Sequence, residues 1–218
     1  MTAPPRWQGV FFDLDGTLAD TVELILCSYR HTMEVHLGQV LPDERWLSAI
    51  GTPLVSQLRG FARDEEEVEA MLETFTVFQR ELHDDMVRPF PGAGALLNKL
   101  RTRGAHLAVI TSKRGVVARR TLEVCGLWNS VDLLIAVEDV DRGKPDPESV
   151  EQALSVLGLT DFRREVLFVG DSPFDLQAGR AAGTITAAVS WGPFERQTLE
   201  AEHPDYFLET FEDLLRLR

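Results

Sequence analysis

The sequence predicts an α/β fold in three layers, α/β/α, with an all-helical module inserted after the first strand. Two observations lead to this prediction. Apolar runs of strand length recur along the chain, and each is followed by a helical pattern, as in parallel sheets covered on both faces. Between about residues 18 and 88 this alternation stops, and helical patterns follow one another with no strand between them.

Five apolar runs are predicted as strands, at residues 10–12, 107–110, 133–136, 166–169 and 185–189. They are nearly continuous in apolar residues, which is typical of strands buried on both faces of an open, Rossmann-like parallel sheet. Residues 1–18 and 89–218 are therefore assigned to a Rossmann-like core, and residues 19–88 to a helical cap domain. The first cap helix is predicted to begin near Asp20, and the third to carry the acidic run at 64–67, where carboxylates suit a helix N-terminus.

Composition and charge limit the classes of partner. The chain has 218 residues, 44% of them hydrophobic, and a formal net charge of -13, which would repel a nucleic acid backbone. No apolar run approaches the roughly 20 residues that span a bilayer, and the N-terminus lacks the pattern of a secretion signal. We therefore expect a cytoplasmic protein that binds neither nucleic acid nor membrane. The four tryptophans fit core and interface positions equally, so the sequence favours neither a monomer nor a homodimer.

Asp13 and Asp15 directly follow the first predicted strand. Ligands of open parallel sheets bind where loops leave the carboxyl ends of the strands, so both carboxylates should lie at the binding edge. Two carboxylates this close require a metal ion or a raised pKa. Either suits phosphoryl transfer, in which Asp13 attacks phosphorus and Asp15 protonates the departing oxygen and later deprotonates water. An Asp-x-Asp-Gly segment is also common in turns, so the pair alone is only suggestive.

Asp171 follows the predicted strand at 166–169 and offers the oxygen ligand that Mg²⁺ prefers. Asp175 has two interpretations. Ser172, Pro173 and Asp175 fit the N-cap, N1 and N3 positions of a helix, so Asp175 could cap that helix, support the metal from its outer shell, or do both.

Three further residues are predicted to bind phosphate at the same edge. Lys144 lies between a glycine and a proline, in a segment stiff enough to hold its ammonium group in place for charge stabilisation. Thr111 and Ser112 end a strand just before a helix expected to begin near Gly115, where a hydroxyl and backbone N–H groups can hold phosphate oxygens. Ser112 could equally be only an N-cap, and Lys113 is left without a role.

Taken in order, these residues resemble the motifs of the haloacid dehalogenase superfamily, in its branch with a helical cap after the first strand. The motifs are Asp13-Leu14-Asp15-Gly16-Thr17, Thr111, Lys144, and Gly170-Asp171-Ser172 through Asp175. The resemblance implies Mg²⁺ bound by Asp13, Asp171 and the backbone carbonyl of Asp15. It also implies phosphate held by Thr111, Lys144 and the backbone N–H groups of Leu14, Asp15 and Gly16.

Departures from other members of the superfamily narrow the expected chemistry. Its dehalogenases lack the second aspartate, which is present here as Asp15. Its phosphonoacetaldehyde hydrolases use a cap lysine, and residues 18–88 contain none. Its sugar phosphomutases carry a histidine near the position of Ile25, and residues 21–27 of this chain contain none. These differences favour a magnesium-dependent phosphohydrolase over a β-phosphoglucomutase-like enzyme, and the complete set of motifs disfavours a non-catalytic binding module.

The sequence looks most similar to phosphoglycolate phosphatases, with pyrophosphatases of the same cap type as the alternative. In either case the substrate is expected to be a small phosphorylated metabolite. Gly51 and Thr52 lie in the cap loop that approaches the substrate in this family. No basic residue occurs between residues 50 and 57, so a large second anionic group is expected to require Arg45, Arg59 or another arginine.

Overall fold

A computed structural model describes residues 7–217 of the chain. Residues 1–6, on which the expectation about a secretion signal partly depends, lie outside the described residues. The described part contains a six-stranded parallel sheet with the strand order β5-β4-β1-β6-β7-β8. Its strands are β1 (Gly9–Phe12), β4 (His106–Ile110), β5 (Leu133–Ile135), β6 (Val166–Gly170), β7 (Ile185–Val189) and β8 (Tyr206–Leu208); two short strands, β2 (Ala19–Asp20) and β3 (Arg88–Pro89), pair separately and antiparallel.

Four helices lie between the two short strands, and six more cover the sheet. The first group is α1 (Val22–Leu37), α2 (Glu44–Leu47), α3 (Leu54–Arg59) and α4 (Glu65–Met86). The second group is α5 (Ala93–Thr102), α6 (Gly115–Val124), α7 (Glu148–Val156), α8 (Pro173–Ala182), α9 (Arg196–Glu200) and α10 (Phe211–Arg216). The structure confirms the predicted α/β class with a helical insert, and α6 begins at the expected residue.

Alternate residues of the sheet strands pack against helices on opposite faces. Val10 and Phe12 belong to a buried cluster with residues of α5, α6 and α10, while Phe11 belongs to a second cluster with residues of α7 and α8. This two-residue period is the reason that the strands read as continuous apolar runs. It also gives the three layers that the sequence predicts.

The helical insert has its own hydrophobic cluster, centred on aromatic side chains of α1, α2 and α4. Tyr29 and Trp46 are almost fully buried and stack with their ring centroids 4.3 Å apart, and Trp46 also stacks on Phe75. A separate core of this kind fits the predicted assignment of residues 19–88 to a cap domain. The bounds of that domain stay a prediction. No helix within residues 7–217 is long and apolar enough to span a bilayer.

Helix α1 begins at Val22, close to the predicted start near Asp20, which itself pairs with Arg88 in the short antiparallel ladder. Two other details of the sequence prediction were wrong. The acidic run opens the fourth helix of the insert, where the Asp64 side chain accepts a hydrogen bond from the Glu67 N–H group, because the short helices α2 and α3 both precede it. Strand β8, at the edge of the sheet, was not predicted from the sequence.

The parallel register brings the predicted site residues to one edge. Phe12, the last residue of β1, is level with Val109 of β4 and Val169 of β6. The next residue, Asp13, donates its backbone N–H to the Val169 carbonyl at 2.9 Å. Loops leaving these three strands therefore meet at their carboxyl ends, as expected for a ligand site in an open sheet.

Candidate active site

Asp13 and Lys144 form a buried ion pair at the centre of the strand ends. The Lys144 Nζ atom lies 2.7 Å from Asp13 Oδ1 and 2.6 Å from Asp175 Oδ1. It is also 3.4 Å from the Ile110 carbonyl at the end of β4. All three charged side chains are more than 90% buried. One ammonium group therefore ties the loop after β1 to the first turn of α8, which follows β6.

Three buried carboxylates gather around this ammonium group. Oxygen atoms of Asp13, Asp171 and Asp175 all lie within 4.8 Å of one another, and Thr17 Oγ1 donates to Asp171 Oδ1 at 2.6 Å. When ionised, the three carboxylates carry three negative charges. Lys144 supplies one positive charge, so two negative charges remain uncompensated. A divalent cation would supply the missing charge, and carboxylate oxygens are its preferred ligands. The residues present therefore fit a metal ion.

The pKa values of the cluster follow from its burial. Desolvation raises the pKa of the Asp13 carboxyl to about 7, against the opposing attraction of the Lys144 ammonium group. Burial also raises the pKa of Asp171 well above its ordinary value, and the neighbouring charges of Asp13 and Asp175 add to this rise. Burial alone would lower the pKa of Lys144, but the two carboxylates outweigh it and raise this pKa. A cation bound between the carboxylates would favour their ionised forms.

Asp175 fills the capping role and contacts the cluster as well. The Ser172 Oγ atom accepts a hydrogen bond from the Asp175 N–H, while Asp175 Oδ2 accepts from the Ser172 N–H at 3.1 Å and from Ser172 Oγ at 2.5 Å. Pro173 at N1 completes this capping box at the start of α8. The other oxygen, Oδ1, binds Lys144. The cap therefore fixes the carboxylate in the orientation that faces the ammonium group.

Asp15 is held by two side chains for which the sequence analysis gave no role. The Lys113 Nζ atom lies 2.5 Å from Asp15 Oδ1, and Thr21 Oγ1 donates to the same oxygen at 2.6 Å. Lys113 directly follows two predicted site residues at a strand end, and this position could have indicated that it belongs to the site. Thr21 immediately precedes α1, and nothing in its local sequence distinguishes it from an ordinary N-cap.

The predicted phosphate-binding groups differ in burial and in the hydrogen bonds that they make. Thr111 is buried, and its Oγ1 atom accepts a hydrogen bond from the Lys113 N–H at 3.2 Å. The Leu14 side chain is fully buried in the core. The Gly16 N–H donates to the Ala19 carbonyl at 2.9 Å, so in this conformation it is engaged within its own loop. The phosphate-binding roles of these residues stay predictions.

The cap loop predicted to approach the substrate touches the core at this edge. Ser112 Oγ donates to the Gly51 carbonyl at 2.6 Å. Gly51 has a φ of +97°, and a Cβ atom there would lie 3.0 Å from Ser172 Oγ. The close approach and the left-handed backbone both require glycine. A second contact joins cap and core further away, where His83 Nε2 of α4 lies 2.9 Å from Thr121 Oγ1 of α6.

A cavity of about 180 Å³ opens from Asp13, Asp15 and Asp171 into the space between cap and core. Thr52 of the cap loop lines it, and so do Lys113 and Arg114 at the start of α6. The arginines proposed from the sequence lie elsewhere: Arg59 pairs with Glu65, and the Arg45 guanidinium group lies 5.9 Å from the centre of the Phe61 ring. The positive charge beside this cavity therefore comes from the core, which the sequence analysis missed.

Comparison with known proteins agrees with this geometry. Residues 10–189 match the model of the haloacid dehalogenase-like hydrolase family. The chain belongs to this family. It is 37% identical over 212 residues to the pyrophosphatase PpaX of Bacillus velezensis, covering 97% of this chain and 96% of that protein. It is 34% identical over 206 residues to the pyrophosphatase PpaX of Halalkalibacterium halodurans, with 94% of each covered.

A solved structure also shares the fold of this hydrolase. The crystal structure of a predicted phosphoglycolate phosphatase from Haemophilus somnus superposes with a TM-score of 0.89 over 98% of this chain and 99% of that chain, at 21% sequence identity. This likeness concerns the fold alone. Together with the family match and the buried aspartates, the comparisons confirm the prediction of an enzyme, a phosphohydrolase of this hydrolase family.

Replacing Gly16 of the hydrolase by alanine should lower phosphate release by roughly 10- to 100-fold, because groups displaced from their reacting positions lose turnover steeply. Gly16 has a φ of +81°, and a Cβ atom there would lie 2.6 Å from Asp171 Oδ2. Gly38→Ala is a matched control: its φ is +66°, but no described atom lies within 4 Å of the added Cβ. Both variants should lose about 1–2 kcal/mol of unfolding free energy from the left-handed backbone. Equal activity of the two variants would contradict the prediction.

Proposed function

We propose that this hydrolase cleaves inorganic pyrophosphate through an aspartyl-phosphate on Asp13, with Mg²⁺ as its cofactor. The observation that carries the choice of substrate is the near full-length identity to pyrophosphatases, 37% in one and 34% in another. It favours the alternative from the sequence analysis over phosphoglycolate, because the phosphoglycolate phosphatase shares the fold at only 21% identity.

The first step is attack of an Asp13 carboxylate oxygen on phosphorus, with departure of the bridging oxygen on the opposite side. Lys144 supports this step by placing fixed positive charge within 2.7 Å of Asp13, where the oxygens of the transferring group gather charge. Thr111 and backbone N–H groups after Asp13 would hold the remaining phosphoryl oxygens. Thr111 is buried before substrate arrives, whereas the Gly16 N–H would first have to leave the Ala19 carbonyl.

Asp15 is proposed to move the proton. It would protonate the departing phosphate in the first step and take a proton from the water that hydrolyses the aspartyl-phosphate in the second. Thr21 and Lys113 both contact Asp15 Oδ1, which leaves Oδ2 as the oxygen available for proton transfer. Closure of the cap over the cavity would keep bulk water from the intermediate.

Mg²⁺ would be held by Asp13 and Asp171 together with the Asp15 backbone carbonyl, and Asp175 would support it from the outer shell. When bound, the ion neutralises charge on the phosphoryl oxygens and on the clustered carboxylates. The fit of the site to the ion comes from the two uncompensated negative charges described above.

The second phosphate of the substrate would meet Lys113 and Arg114. Both line the cavity next to Asp13, and Arg114 is exposed at the start of α6. The Gly115 N–H at this helix start is already bound to the Glu138 carboxylate, so the positive charge here comes from the two side chains. The net charge of the protein opposes an anionic substrate, so this local concentration of positive charge would have to capture it.

The test measures phosphate release, with Mg²⁺ and with chelator, from pyrophosphate, phosphoglycolate, nucleotides and sugar phosphates. Mg²⁺-dependent turnover should be highest on pyrophosphate. Arg114→Ala should raise the KM for pyrophosphate by about tenfold, as expected for losing one charged contact. Arg80→Ala, on the exposed face of α4 outside the cavity, is the control. Preference for phosphoglycolate would overturn the choice of substrate, and no release by folded, Mg²⁺-loaded protein would overturn the proposed function.

A further inference from the structure

Away from its charged end, the cavity beside Asp13 is lined mostly by apolar side chains. Its volume of about 180 Å³ exceeds the roughly 150 Å³ of an apolar cavity that binds benzene. The positive charge lies at one end, at Lys113 and Arg114. The rest of the wall is formed largely by apolar side chains of α1, α3, α4 and α6, among them Ile25, Leu54, Val55, Leu72, Phe75 and Val117.

The polar groups among these apolar side chains are uncharged. Thr52, Gln57, Thr76 and Gln79 contribute hydroxyl and amide groups to the lining. Gln57 Nε2 donates to the Thr52 carbonyl at 2.8 Å, whereas its Oε1 atom is buried with no hydrogen-bond partner in the part of the chain that the structure describes. A buried carbonyl oxygen of this kind repels an anion. This end of the cavity therefore suits an uncharged group.

We propose that the hydrolase also cleaves phosphate monoesters whose leaving group is an apolar, uncharged alcohol of about the size of a benzene ring or a short alkyl chain. The ester phosphate would take the same position against Asp13, so this inference rests on the proposed aspartyl-phosphate chemistry. The leaving group, attached to the bridging oxygen, would extend along the apolar wall. Burying it there would stabilise the complex by the hydrophobic effect.

The reaction balances with water alone. A bond forms between Asp13 Oδ and phosphorus while the bond from phosphorus to the alcohol oxygen breaks, and Asp15 gives its proton to that oxygen. Water then attacks the aspartyl-phosphate, Asp15 takes its proton, and inorganic phosphate and free Asp13 carboxylate result. The products are one alcohol and one phosphate for each water consumed.

A series of straight-chain alkyl monophosphates tests the apolar wall. Methyl, ethyl, propyl and butyl phosphate have leaving groups of similar basicity, so their intrinsic reactivity is nearly constant and differences report on binding. The value of kcat/KM should rise about fourfold per methylene, the ratio that burial of one methylene gives. A flat series would overturn the inference.

Two variants test whether the dependence on chain length arises from the apolar side chains that line the cavity. Val55→Asn combined with Val117→Asn places amides on both sides of the cavity, in α3 and α6, and should reduce the ratio of butyl to methyl turnover at least about fivefold. Val35→Asn is the control, since Val35 is 57% exposed on α1 outside the cavity and its loss should leave the ratio unchanged. An unchanged ratio in the folded double variant would overturn the inference.

Pyrophosphate, assayed beside the esters on the unmodified protein, separates the two proposals. Turnover of pyrophosphate with a flat alkyl series would keep the proposed function and overturn the inference. A rising alkyl series without pyrophosphate turnover would support the inference and overturn the choice of pyrophosphate. No turnover of either by folded, Mg²⁺-loaded protein would overturn both.

Discussion

Replacing Asp13 by asparagine should abolish turnover, lowering kcat by at least about 10³-fold, because the atom proposed to bond to phosphorus loses its nucleophilic character. The asparagine amide has nearly the same shape, so the packing around residue 13 should persist. Two electrostatic effects oppose each other: the variant loses the attraction to Lys144 but also the repulsion from Asp171 and Asp175. Circular dichroism and urea unfolding should therefore show a folded protein.

The control for this variant is Asp161→Asn, which removes a carboxylate from an exposed position far along the chain. Its kcat should equal that of the unmodified protein. A second measurement looks for the intermediate directly: mass spectrometry of acid-quenched enzyme should find phosphate on the peptide that contains Asp13. Substantial activity in Asp13→Asn, or phosphate on a different residue, would contradict the proposed mechanism.

The central residues of the site could be predicted because they depend on strand ends. Asp13 directly follows the apolar run of β1, and Asp171 directly follows β6. Parallel pairing then brings these carboxylates together whatever the details of packing. The same reasoning placed Thr111, which directly follows β4, at this edge. Local sequence determines these three positions, since a strand, its end and the next polar residue are neighbours in the chain. Lys144 lies further on, in the loop between β5 and α7, and was placed at this edge only because that loop also leaves the carboxyl end of a strand.

The parts that sequence could not predict depend on how the cap sits on the core. Lys113 and Thr21 lie on opposite sides of the cap boundary and meet only at Asp15. Arg114 lines the cavity, whereas Arg59 was a candidate until the structure showed it paired with Glu65. Which arginine reaches the substrate is decided by side-chain direction and by tertiary packing. No periodicity or spacing in the sequence carries that information.

Lys144→Met should be the most destabilising single substitution in the site, lowering the unfolding free energy by about 3–5 kcal/mol, and should also lower activity severely. Lys144 is 3% exposed, and its ammonium group lies within 2.7 Å of both Asp13 and Asp175. Removing it leaves two buried carboxylates without their counter-charge, and breaking a buried pair in this way has a cost of that size. Urea unfolding in the presence of chelator measures it, and Lys99→Met, which removes an exposed lysine of α5, is the control.

The loss should also depend on pH in a defined direction. Asp13 has a pKa of about 7 in the folded protein against an ordinary value of 3.8, so the folded state binds the proton more tightly. Stability therefore falls as pH rises through this interval. Lys144 lowers the pKa of Asp13, so in Lys144→Met this pKa should rise and the fall should continue to higher pH. The difference from the unmodified protein should then be larger at pH 8 than at pH 6.

Adding Asp13→Asn to Lys144→Met should recover part of the lost stability, because it removes one of the two orphaned carboxylates. The double variant should therefore lose less than the sum of the single variants, which is the signature of direct coupling between residues in contact. Its pH dependence between pH 6 and pH 8 should also weaken, since Asp13, one of the two carboxyl groups with a raised pKa, has been removed. If the two substitutions were additive and the pH dependence unchanged, the ion pair of Asp13 and Lys144 would not be what stabilises this edge of the sheet.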